Sequence, residues 1–250
     1  MDIAFASAVL PVVLLLIFVY FKDKYQSEPI KKLIWTFFVG CISVVPSAMQ
    51  ETFLEAVYTP VNPVVDGLYG GYVVAGFSEE LWKLLLLMLV VWRSRHFDEY
   101  FDGIIYATYL SLGFACLENI MYVVGDEDAM AVALTRGLLA VPAHFLFAVI
   151  MGYHLSLAKF DPSGRKVHLF HALLYPTLMH GTYDALLMIS DNIETESGQC
   201  FVTGLLFVAF IVFDIFMWRW GLKRIKRLQE RSHEQNFDRL HPFDGFTWNV

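Results

Sequence analysis

The stretch GFSEELWKLLLL, Gly76 to Leu87, sets two glutamates and a lysine inside an otherwise apolar run. A charged side chain at the centre of a bilayer costs about 2.5–3.5 kcal/mol even on lenient insertion scales, so Glu79, Glu80 and Lys83 need either water or a polar site inside the membrane. Composition decides between the two. Of the 250 residues, 57% are hydrophobic and only 17% are charged, and the mean hydropathy is +0.52. These values belong to an integral membrane protein.

Apolar runs of about 20 residues, long enough to cross a ~30 Å hydrocarbon core, fall at roughly 3–21, 33–58, 70–92, 103–124, 131–158, 167–190 and 201–220. The second and fifth are long enough to tilt or to begin with an interfacial turn. The expectation is an all-α, polytopic helix bundle of about seven transmembrane helices. Residues 1–224 read as one integral-membrane domain, and 225–250 as a cytoplasmic tail. Basic residues follow the positive-inside rule: Lys22, Lys24, Lys31, Lys32, Arg93, Arg95, Lys159, Arg165 and Lys166 lie after spans 1, 3 and 5, and the tail adds a further group from Arg219 to Arg239. The connectors after spans 2, 4 and 6 carry acids instead, among them Asp66, Asp126, Glu127, Asp128, Asp191, Glu194 and Glu196. This pattern predicts an outer N-terminus and a cytoplasmic tail.

No positive segment precedes the first run and no small-residue cleavage site follows it, so it reads as a permanent anchor. Cys41, Cys116 and Cys200 form an odd set without CxxC spacing, which indicates neither a disulfide framework nor a zinc ribbon. The net charge of −7 arises mainly in the outer connectors and does not suggest a nucleic-acid partner. The basic segment GLKRIKRLQER reads as an anchor against anionic lipid.

The ionisable residues inside the spans are the informative ones. Span 3 carries Glu79, Glu80 and Lys83; span 4 carries Glu118 and Asn119; span 5 carries His144, with Arg136 nearer its outer end; span 6 carries His180 and Asp184. Counted inward at ~1.5 Å per residue, Glu79, Glu80 and His180 lie ~15 Å from the outer ends of their spans, His144 and Lys83 ~20 Å, and Glu118 and Asp184 ~9 Å. These depths fit one layer supplied by four helices. Phe114 and Glu118, Glu79 and Lys83, and His180 and Asp184 are each spaced to share a helix face. Glu79 and Glu80 are ~100° apart around the helix and cannot share an environment. Pro142 and Pro176 stand close before His144 and His180, where they are expected to bend the spans. His154, His168 and His171 fall near the cytoplasmic span ends and read as interfacial.

EELWK at Glu79–Lys83 resembles the EExxK motif of the PrsW family of intramembrane proteases, part of a larger superfamily with the CAAX prenyl endopeptidases and bacteriocin-immunity membrane proteins. FACLEN at Phe114–Asn119 is similar to that family's FxxxEN, the isolated His144 to its third motif, and HGTYD at His180–Asp184 to its HxxxD. KDKYQSEPIKK after span 1 is similar to the family's charged first loop. The resemblance implies peptide-bond hydrolysis within or beside the lipid bilayer of a prokaryotic plasma membrane, on membrane-anchored proteins such as anti-sigma factors. It also implies that Glu79, Glu80 and His144 are essential and that Glu118, His180 and Asp184 support them.

Two chemistries stay open from the residues. A glutamate can activate water directly. Alternatively, His144, His180 and a carboxylate such as Glu118 or Glu79 can hold a divalent metal such as zinc, although no compact zinc signature is present. Readings from other classes are a proton- or ion-coupled transporter and a catalytically inactive scaffold of the same fold.

Overall fold

The computed structural model describes residues 2–197 and 200–240, with side chains described for 3–193 and 201–240, so the side chains of Glu194, Glu196 and Cys200 and the last ten residues of the expected tail lie outside it. The described residues form helices: α1 (Asp2–Lys22), α2 (Ile30–Val57), α3 (Pro63–Tyr69), a π-helical segment (Gly70–Phe77), α4 (Ser78–Val91), α5 (Asp102–Gly125), α6 (Ala129–Leu138), α7 (Ala140–Phe160), α8 (Arg165–Ser197) and α9 (Cys200–Leu240). Helix covers all seven expected spans. Five stretches meet the criterion of length and apolarity for a membrane crossing: Ile3–Lys22, Ile30–Val57, Asp102–Gly125, Ala129–Phe160 and Phe201–Leu240. The other two expected spans are helical as well, and they hold Glu79, Glu80 and Lys83 in one and His180 and Asp184 in the other.

Helices α5 and α7 form the centre. Every residue from Asp102 to Cys116 of α5 and from Ala143 to Ala158 of α7 is buried, so both helices are enclosed all round. The outer helices expose their apolar faces: Leu10, Leu14 and Ile17 on α1, Phe38, Ile42 and Val45 on α2, and Val208, Val212 and Phe216 on α9. Such a surface is stable only against lipid tails.

Span 3 is built differently from a plain helix. Asn62 caps α3 by accepting from the amides of Val64 and Val65, and the chain then widens into the π-helical segment before tightening into α4. Glycines explain why it can lie so close to α8. A Cβ on Gly71 would stand 2.6 Å from the amide nitrogen of Ala185, and one on Gly76 would stand 2.9 Å from that of Gly181. The two backbones therefore touch directly, which brings Glu79 and Glu80 next to His180. π-Helical turns recur at functional sites.

Span 5 is broken. Helix α6 ends at Leu138, Leu139 adopts φ −116° and ψ −58°, and α7 restarts at Ala140. Pro142 thus sits in the first turn of α7, where its missing N–H has no partner to lose, so the expected bend is realised as a break three residues earlier. Pro176 lies inside α8, as the spacing predicts.

At the basic end of the bundle, α9 continues beyond residue 225 and clamps the connector before α5. Ser232 Oγ accepts from the Phe101 amide at 2.9 Å, Gln235 donates to the Asp98 carbonyl at 2.8 Å, and Asn236 donates to Glu99 at 2.6 Å. Beside it, the connector between α1 and α2 inserts buried acids: Asp23 accepts from the Glu28 amide at 3.1 Å, and Tyr106 donates its hydroxyl to Glu28. Burial pushes the Glu28 carboxyl up to about 7 and that of Asp23 up to about 6, and it raises Glu99 as well.

A raised carboxyl pKa means that the folded state holds protons the unfolded chain releases, so stability falls as pH rises from about 4.5 to about 7. The thermal midpoint in detergent micelles is therefore expected to be higher at pH 5 than at pH 7.5, and Glu28→Gln is expected to flatten that difference. A variant with the wild-type pH profile contradicts the assignment.

Candidate active site

Lys83 is fully buried on α4 and its ammonium has three partners. It donates to Glu79 Oε2 at 2.9 Å and to Glu80 Oε1 at 2.8 Å, and it meets His144 Nδ1 at 3.1 Å. An ammonium has three N–H groups and no acceptor, so all three are used and His144 Nδ1 must accept. The Phe114 ring from α5 covers the same ammonium, 4.0 Å from its centroid, a cation–π contact that is strong when desolvated. The first residue of the FxxxEN pattern thus has a physical purpose.

The other nitrogen of His144 faces Glu118 Oε2 at 3.1 Å. With Nδ1 accepting, Nε2 carries the proton and donates to Glu118. Ser111 donates to the His144 carbonyl at 3.0 Å, tying this turn of α7 to α5. Arg136, from the end of α6, pairs with Glu118 at 2.6 Å, donates to Asn119 Oδ1 at 2.8 Å and stacks on Tyr122 at 3.9 Å. Asn119 in turn donates to the Ala8 carbonyl of α1 at 3.0 Å. Glu118 and Asn119 therefore join α5 to α7, α6 and α1.

His180 on α8 is held from both sides. Its Nδ1 lies 3.0 Å from Glu80 Oε1 and its Nε2 lies 3.1 Å from Asp184 Oδ2. Both neighbours are carboxylate oxygens, so both nitrogens act as donors and the ring carries positive charge between them. Phe147 stacks on it at 4.7 Å, and the His144 ring stands edge-on to it at 5.2 Å. Carboxylates from Glu79, Glu80, Glu118 and Asp184 thus face cations from Lys83, Arg136 and His180, which keeps the buried charge close to balance.

All ten residues singled out from the sequence converge here: Glu79, Glu80, Lys83, Phe114, Glu118, Asn119, Arg136, His144, His180 and Asp184. Sequence reasoning missed Ser111, Tyr122 and Phe147, because a serine or an aromatic in an apolar helix carries no sign of which neighbour it meets. The two glutamates have different settings, as their angular offset predicts. A cavity of about 310 Å³ opens beside the cluster, lined by Glu79, Glu118, Arg136, His144, His180 and Asp184 among others. Glu79 lines this cavity, whereas Glu80 stands behind it, fully buried, with Oε2 unpartnered.

Glu79, Glu80, His144 and His180 each bring one potential ligand atom within 4.8 Å of the others. The foursome is of the right chemical type for a divalent metal. It contains the expected His144 and His180 with Glu79 as the carboxylate and adds Glu80, whereas Glu118 bonds His144 from the far side. Lys83 already contacts three of the four, Glu79, Glu80 and His144.

The sequence profile described as "PrsW family intramembrane metalloprotease" matches residues 28–216, a segment containing every residue of this cluster. The chain belongs to the PrsW family. It is similar to "Protease PrsW" of Clostridioides difficile, 32% identical over 240 residues that span 94% of this chain and 95% of the relative. It is also similar to "Protease PrsW" of Bacillus subtilis, 34% identical over 224 residues that span 89% and 94%. No solved structure matches the chain. As a PrsW protein the chain is a multi-pass membrane protease of prokaryotic type, which displaces the transporter reading.

The cavity is predicted to be wet. With the native cysteines replaced, Leu187→Cys in the cavity wall should react with a charged thiol reagent in proteoliposomes, while Ile42→Cys on the lipid face of α2 should not. Equal protection of both positions contradicts an aqueous site.

Proposed function

We propose that this PrsW protein cleaves single-span, membrane-anchored proteins, of the anti-sigma-factor type, with Glu79 as the base that activates water. The observation that carries this assignment is the division between the two glutamates: Glu79 lines the cavity while bonded to Lys83, and Glu80 is buried behind it against Lys83 and His180. Glu79 takes a proton from water as the oxygen attacks the scissile carbonyl, and then delivers it to the leaving amine. His144, with both ring nitrogens committed to Lys83 and Glu118, positions those two side chains around the attacking water. His180 and Arg136 put positive charge on the cavity wall, where the tetrahedral oxyanion forms. Glu80 and Asp184 position His180. The same motif set supports kinship with the CAAX prenyl endopeptidases and bacteriocin-immunity membrane proteins.

A divalent ion such as zinc, held by Glu79, Glu80, His144 and His180 in competition with the Lys83 ammonium, would supply Lewis acidity and an acidified water when bound. We take the basic end of the bundle as cytoplasmic, which puts the cavity in the outer half of the membrane and the cut near the outer boundary of the substrate span.

The test is cleavage of single-span reporters in proteoliposomes, with and without a strong chelator. Glu79→Gln is expected to lower the rate at least about 100-fold, His144→Ala to lower it similarly, and wild-type product to survive chelation. Wild-type turnover by Glu79→Gln contradicts the base assignment. Loss on chelation with rescue by zinc transfers the role of His144 and His180 to metal ligation.

A further inference from the structure

At the opposite, basic end of α7 and α8 lies a second cluster of histidines that the proposed chemistry does not use. His154 of α7 meets His168 and His171 of α8, one ligand atom from each lying within 4.8 Å of the others. His154 is ten residues beyond His144 along α7, ~15 Å of helix, so the cluster is separate from the cavity. Although the sequence reads these histidines as interfacial, His154 is only 6% exposed. Neither of its ring nitrogens has a hydrogen-bond partner, and Nδ1 of His168 is buried without one as well. A buried imidazole with both nitrogens unsatisfied is costly, and three imidazoles on two adjacent helices form a recurring arrangement for a zinc-type ion.

We propose that His154, His168 and His171 bind a divalent transition-metal ion, of which zinc is the representative, and so clasp α7 to α8. Nε2 of His168 faces Asp161 Oδ2 at 3.6 Å, which turns its unpartnered Nδ1 into the ligand atom. Metal-ligating histidines typically give their other N–H to a carboxylate in this way. Asp161 is itself fixed by the loop, because its Oδ1 accepts from the Ser163 and Gly164 amides at 3.1 and 3.2 Å. Arg224, whose guanidinium stacks on Tyr153 at 4.5 Å, is close enough to act on His154; its charge opposes a cation here, and Asp161 offsets it. The joined helices are those that carry His144 and His180, so the clasp fixes their relative height.

The experiment uses the full-length protein in nanodiscs with cobalt(II) as a spectroscopic stand-in for zinc. Glu79→Gln/His144→Ala serves as background, so that uptake by the cavity residues is removed. This background is expected to bind one cobalt(II) per chain with the intense visible bands of a four-coordinate site, and zinc is expected to displace it and to raise the thermal midpoint. His171→Ala and, separately, His168→Ala, both at half-buried positions, should abolish the bands. Asp161→Asn keeps the loop acceptor and should weaken binding by about 10–100-fold. No uptake by the background protein, or uptake that both histidine variants leave unchanged, overturns the proposal.

Discussion

A single ammonium group, that of Lys83, holds the interior of this protein together. Fully buried, it has to donate all three of its hydrogens, and it does so to Glu79, Glu80 and His144 while resting on the Phe114 ring. Each partner is itself committed: Glu80 to His180, His144 to Glu118, and Glu118 to Arg136. An isolated charge in such a place costs several kcal/mol, whereas charges paired with opposite charges and hydrogen bonds are tolerated, here with Glu80 Oε2 alone left unpartnered among these atoms. Helices α4, α5, α7 and α8 therefore cannot shift independently.

Close backbone packing makes that network reachable. Lysine and glutamate on one helix can meet a histidine on the next only if the helices approach closely. Gly71 and Gly76 let the backbone of the π-helical segment touch that of α8, and Gly181 makes room for the Tyr72 ring. The enclosed helices α5 and α7 supply a rigid wall on the other side. The cavity lies where this wall, the broken span at Leu139 and α8 meet, so one face of the charge cluster lines the cavity and the other is buried.

Much of this was legible in the sequence because polar residues in an apolar chain are expensive and therefore conspicuous. Glu79, Glu118, His144 and His180 stand out from their spans for that reason, and helical spacing pairs Glu79 with Lys83 and His180 with Asp184. Contacts made by ordinary residues carried no such mark. Phe147 stacks on His180 and Ser111 fixes the His144 carbonyl, yet both look like any residue of a buried helix. The π-helical segment was hidden as well, since glycines in an apolar run signal close approach without saying what hydrogen-bond register the backbone adopts. The length of α9 was masked by its change from apolar to charged near Arg219, which ends a hydropathy run but does not end a helix. His154 misled in the opposite sense: its position near a span end suggested an interfacial residue, whereas packing between α7 and α8 buries it.

The keystone role of Lys83 lies in bridging Glu79, Glu80 and His144, three of the four side chains that could hold a metal. The most direct measurement of that role is the unfolding free energy of Lys83→Met compared with Lys83→Met/Glu79→Gln/Glu80→Gln in the same detergent. Loss of the ammonium alone leaves two buried carboxylates facing each other and should cost about 3–5 kcal/mol, and neutralising both glutamates should recover most of that loss. A Lys83→Met protein as stable as wild type, or a triple variant no more stable than the single one, would contradict it.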